Sequence, residues 1–184
     1  MRKIILTFGL LAGAIISVLM ILSMGLLDKG MLNFDSAELV GYTNMVIALT
    51  MVFFGIKSYR DNYQNGAIKF GKGLQIGLLI TLIASFMYAA TWEVYYQTSP
   101  EAQAHLDKYT EHYINKMKET GASAAELEQE IKKMAGMKEM YKNPVIRFGF
   151  TLMEILPVGI IITLLSAAVL RKKERFPALE TARG

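Results

Sequence analysis

Apolar positions along the chain gather into four long runs. Ile4 to Leu27 is uncharged over 24 residues, Leu39 to Ile56 over 18 and Leu74 to Trp92 over 19. Pro144 to Leu170 is apolar except for Arg147, Glu154 and an internal Pro157. At 1.5 Å of rise per residue, such runs cross a hydrocarbon core of roughly 30 Å, and a helix there satisfies its own backbone. Arg2 and Lys3 before the first run raise the question of a cleaved leader. The run exceeds the ~7–15 residues of a leader's apolar region, and no small-residue cleavage pattern closes it, so it is read as a retained first span. The third run ends in Trp92-Glu93-Val94-Tyr95-Tyr96, an aromatic belt at a membrane surface. The expectation is one domain, residues 1–184, with spans of about 4–27, 39–56, 74–96 and 144–170.

Residues 97–143 break this pattern. Leu106, Tyr109, Tyr113 and Met117 recur at helical spacing, and Leu127, Ile131 and Met134 do so again. Ser99-Pro100 is a helix start, Gly121 a stop, and Ser123 with Glu126 a capping box. The pattern predicts an all-α membrane protein: four transmembrane helices with an amphipathic helical hairpin between the third and fourth.

Charge adds orientation. The chain is 53% hydrophobic with mean hydropathy +0.31, above an ordinary soluble domain, so its net charge of +4 is read segment by segment. The N-terminus has Arg2 and Lys3, and the connector after the second run has Lys57, Arg60, Lys69 and Lys72 against Asp61. The tail, 171–184, opens with Arg171, Lys172, Lys173 and Arg175. The first connector, with Asp28, Lys29, Asp35 and Glu38, is net negative, and 97–143 has seven Lys against eight acids. Both termini and the basic connector are therefore expected in the cytoplasm and the hairpin outside it. The connector's cations would meet anionic headgroups, at about 1 kcal/mol each near the surface. The lipid bilayer is thus the expected partner; nucleic acid, which needs a larger basic surface, is not.

Polar residues at membrane depth are the candidates for chemistry. Ser17 lies near the middle of the first run, and Asn44, Tyr88 and Glu154 lie about three or four residues outward of the middle of theirs, which predicts one polar layer. A charge at mid-membrane costs roughly 2.5–3.5 kcal/mol on insertion scales, so Glu154 is expected to be protonated or paired. Arg147, Thr151 and Glu154 share one helix face at i, i+4 and i+7, and Glu93 is a candidate partner for Arg147. The set Glu154, Arg147, Glu93, Asn44 and Tyr88 reads first as a structural clamp between helices and second as a proton- or solute-handling site, to which Pro157 beside Glu154 adds slight weight. His105 and His112, seven apart on one face, are read as surface residues of a charge-rich helix rather than metal ligands. The chain has no Cys, which removes disulfides and thiolate metal sites, and no cofactor is expected.

Gly9 with Gly13, and Gly73 with Gly77, set small residues four apart, a spacing that serves packing within the chain or between copies. Phe-Gly recurs at Phe8, Phe70 and Phe148, too thin a signal for a duplicated unit. The 12 Met fall mostly in the runs and the hairpin, where filling gaps explains them. No phosphate-binding loop, dinucleotide glycine pattern, nucleophile elbow or H-E-x-x-H is present.

The run Phe54-Gly55-Ile56-Lys57-Ser58-Tyr59-Arg60-Asp61, followed by Gly66-Ala67-Ile68-Lys69-Phe70-Gly71-Lys72-Gly73, resembles domain-of-unknown-function family 4199, small bacterial four-helix integral membrane proteins. Met153-Glu154-Ile155-Leu156-Pro157-Val158-Gly159, then Leu164 to Lys173, is similar to that family's last helix. The resemblance implies a multi-pass protein of the bacterial inner membrane and supplies no catalytic residues. The expected function is a non-enzymatic structural or partner-binding component, its partner a second copy or another membrane protein. The alternative is a small transporter or proton-coupled accessory using Glu154. A lipid-acting enzyme ranks last, because only Glu93, Arg147 and Glu154 would serve it.

Overall fold

A computed structural model describes residues 1–171. Among them are six helices and no strand: α1 (Arg2–Asp28), α2 (Phe34–Tyr63), α3 (Phe70–Thr98), α4 (Pro100–Glu119), α5 (Ala124–Tyr141) and α6 (Pro144–Leu170). Four of these, α1, α2, α3 and α6, are long and apolar enough to cross a membrane. Leu10, Val18, Leu22, Phe86, Leu165 and Val169 are exposed on their outer faces, an apolar girdle that suits lipid and not water.

Local chemistry sets the breaks. Asn33 and Ser36 cap each other and start α2 five residues before the apolar run at Leu39. Ser99 accepts from the Ala102 amide, and Pro100 opens α4. Ser123 and Glu126 form a reciprocal capping box at α5. Asn143 accepts from Val145 and Ile146 amides ahead of Pro144 in α6, which continues through Pro157. Asn65 and Gly66 both adopt positive φ, 48° and 81°, and turn the chain between α2 and α3.

α2 runs well past the expected 39–56. Lys57 and Arg60 therefore stand on its last turns and Lys72 on the first turn of α3, so only Gln64 to Lys69 is connector, with Lys69 at the helix edge. Arg60 pairs with Asp61 at 2.7 Å. The tail expected at 171–184 lies, from Lys172 onward, outside the described residues.

Around the bundle the neighbours run α1, α2, α6, α3. α2 and α3 also touch across one diagonal, while α1 and α6 have no substantial contact across the other. The centre is packed with Ala12, Ala48, Leu49, Ile56, Ile80 and Ala84, each fully buried. The four-spaced glycines serve this packing. A methyl group on Gly9 would sit 2.8 Å from Ile83 Cβ, and Gly13 faces Met87, both on α3. Gly73 faces Ala167 and Gly77 faces Thr163, both on α6. The small-residue stripes are thus occupied inside the chain. α4 and α5 pack on each other and on the adjoining ends of α3 and α6.

Candidate functional site

The polar residues at the α4–α5 end of the bundle divide into two groups. The first is closed. Arg147, 4% exposed, donates from Nε to Glu93 Oε2 at 2.8 Å and from its terminal nitrogens to Glu93 Oε1 and the Tyr141 carbonyl. Its guanidinium lies 3.9 Å from the centre of the Tyr96 ring. Gln97 donates to the same carboxylate, and Trp92 donates its indole N–H to the Tyr141 hydroxyl at 2.7 Å. Burial pushes the Tyr141 phenol up to about 12, so it stays protonated at neutral pH. Thr151 hydrogen-bonds back to the Arg147 carbonyl. The two charges of this group match each other through a bidentate hydrogen-bonded pair. The Trp92-to-Tyr96 segment, read as a belt facing the interface, contributes two of its rings inward: Trp92 is buried and Tyr96 stacks on Arg147.

The second group is open. Glu154 sits two turns along α6 from Arg147, about 10 Å by helical rise. Among the described residues it has no hydrogen-bond or ion-pair partner. It is exposed, and it lines a cavity of about 300 Å³ and an adjoining one of about 220 Å³. Both cavities share Met20, Met24, Tyr88 and His105 with it. α1 and α6 have no substantial contact, and Glu154 lines this space together with the α1 residues Met20 and Met24.

The roof is α4. His105 packs against Phe34 and Trp92, with ring centres 5.6 and 6.0 Å away, and His112 packs against Phe34 at 5.3 Å. His105 is therefore an inward-facing roof residue and not the surface residue expected. The apolar and aromatic groups around it depress its pKa, with Asp28 opposing and Lys108 adding to the fall. Lys116 reaches Asp35 at 2.6 Å and Lys108 reaches Asp28 at 4.0 Å, so the acidic α1–α2 turn anchors the basic side of α4.

The expected polar layer is only partly one site. Asn44 lines the cavity, but its amide is committed to Ser23 at 2.8 Å. Ser17 pairs with Thr91 at 2.9 Å and lines neither cavity. Tyr88 lines both cavities. Sequence reasoning left out Glu38 at the cavity wall and His105 in its roof. The signal for His105 was its phase: it shares a face with Tyr109 and His112, all three touching Phe34.

Comparison with known proteins agrees with the architecture. The family described as proteins of unknown function, DUF4199, matches residues 7–172. No curated protein and no solved structure matches the chain. The chain belongs to that family, and it is a multi-pass membrane protein.

Proposed function

We propose that this member of a family of unknown function is a non-enzymatic component of the bacterial inner membrane that binds a small ligand or a proton at Glu154. The observation that carries this is the contrast on α6: Arg147 is closed by Glu93, while Glu154 faces a cavity without a partner. An unpaired carboxyl at membrane depth is costly, and function is the usual reason to retain one. The same contrast disfavours an enzyme. Glu93 and Arg147 neutralise each other, which leaves Glu154 without a second catalytic group. The basic segments favour a cytoplasmic position for both termini and the Lys57-to-Lys72 turn, so α4 and α5 form an extracytoplasmic helical hairpin roofing the site.

A hydrophobic carbodiimide tests the reading, because it modifies carboxyls that are protonated and reachable from lipid or a cavity. Glu154 is expected to react and Glu93 to resist. No reaction at Glu154, or equal reaction at both, overturns it. The Cys-free chain makes topology equally direct. In intact cells an impermeant maleimide should label Glu128→Cys and spare Lys69→Cys; the reverse pattern inverts the assignment. The second reading, a small transporter or proton-coupled accessory, draws on the same unpaired carboxyl. It requires ion or solute flux in reconstituted vesicles that Glu154→Gln abolishes.

A further inference from the structure

We infer that the larger cavity takes a hydrophobic organic monocation, an ammonium on a compact apolar body, with Glu154 as its counter-charge. This rests on the proposed binding role of Glu154 and names the ligand class. The charged residues lining the cavity are Glu38 and Glu154; no Lys or Arg lines it. The nearby cations are already engaged: Lys108 with Asp28, Lys116 with Asp35 and Arg147 with Glu93. His105 in the roof is held toward its neutral form by burial, so it does not compensate the acids at neutral pH. An anion would meet two acidic residues and no positive group, whereas a bound cation favours the ionised form of Glu154, which is the form carbodiimide does not modify.

The remaining wall selects against a small hydrated ion. Tyr42, Tyr88 and Tyr109 line it with Phe34, and aromatic faces attract ammonium groups stripped of water. Ile16, Met20 and Met24 add an apolar surface, and methionines adapt to the body they cover. Among the described residues no group of three His, Asp or Glu is arranged to hold a metal. The volume of about 300 Å³ is at the small end for ligand pockets, which fits one ring or a short chain beside the ammonium.

The test uses the full chain in phosphatidylglycerol nanodiscs and phenyltrimethylammonium as probe. Its neutral isostere tert-butylbenzene and the anion benzenesulfonate are the controls, with binding read by equilibrium dialysis. The cation should bind saturably and protect Glu154 from carbodiimide. The isostere should bind at least about tenfold more weakly and benzenesulfonate not at all. Glu154→Gln should cost about tenfold or more, Glu154→Asp less, and Glu38→Gln about threefold. Equal binding of the isostere, or an unchanged affinity in a folded Glu154→Gln, overturns the assignment. If carbodiimide reaches Glu154 but the cation neither binds nor protects, the cation class falls and the cavity role stands; if it never reaches Glu154, both fall. Repeating the titration in phosphatidylethanolamine separates two sources of the same chemistry. Competition there marks a lipid headgroup, and undiminished affinity marks a free amine; both retain the ammonium.

Discussion

Glu93 and Glu154 are both acids toward the α4–α5 end of the bundle, yet one is paired and the other lines a cavity without a partner. Glu93 is covered and receives Arg147 and Gln97. Glu154 borders a void with no Lys or Arg among its lining residues. Covering a charge costs a great deal unless a matched partner comes with it, so the paired acid is part of the scaffold. On the proposed function, an acid left open in a chain that could have placed Leu there is the group that binds. Glu93 lies shallower, at the level of Arg147, and has the partner that Glu154 lacks.

The largest expected effect breaks the closed side. Arg147→Met leaves Glu93 without its charge partner. Losing one partner of a deep pair costs about 3–5 kcal/mol. Arg147 is only the fourth residue of α6, close to the bundle's end, so about 2–3 kcal/mol is expected for this pair. Thermal unfolding in detergent reads this, and adding Glu93→Leu should recover most of the loss. Next comes the interface that carries both acids. Thr81 hydrogen-bonds Thr163 at 3.2 Å beside Gly159, and a side chain at Gly159 meets the stiff Thr81. Gly159→Ala is expected to cost about 1–3 kcal/mol by overpacking. It should disturb the clamp and the cavity together, because α3 and α6 frame both; a loss confined to one would mean that the two regions are held independently.

Glu154→Gln should change stability by less than about 0.5 kcal/mol in either direction, because no pairing is lost. It should still abolish carbodiimide reaction. Destabilisation comparable to Arg147→Met would erase the contrast and make Glu154 a clamp.

The division between what was and was not readable has a physical basis. The four long runs, Ser99-Pro100, Gly121 and the Ser123–Glu126 box are local signals, and each helix start or stop they mark is present. α2 outran its apolar segment because capping at Asn33 and the polar turns beyond Ile56 depend on helix chemistry and not hydropathy. The four-spaced glycines left two packings open, and which helix faces Gly9 or Gly77 is a tertiary fact. The same holds for the candidate site. Arg147 and Glu93 lie nearer the helix ends than Asn44, Tyr88 and Glu154, and which of the five meet depends on how the helices pack, which no periodicity encodes. Glu38 and His105 entered through the fold of the connectors over the bundle.

The smallest predicted effect concerns the roof. His105 packs on Phe34 and Trp92, and burial there favours the neutral ring. Its folded pKa is thus depressed, while the unfolded chain titrates near about 6.5. As pH falls through that value the unfolded state takes up a proton first, so the contribution of His105 is full above it. The contribution declines toward the lowered folded pKa and is flat below. Asp28 opposes the shift and Lys108 reinforces it, while the Asp35–Lys116 pair adds an exposed contact that salt weakens. Acidification should therefore loosen α4 before the four-helix bundle, seen as lower amide protection factors, with the intrinsic pH dependence divided out, in Pro100 to Glu119 and unchanged ones in α1 and α3. His105→Phe keeps the aromatic packing and removes the proton, so the protection factors of α4 should become flat with pH. If the variant retains the wild-type slope, the acid sensitivity belongs to the ion pairs of the α1–α2 turn and the roof is tied down by charge instead of by the buried ring.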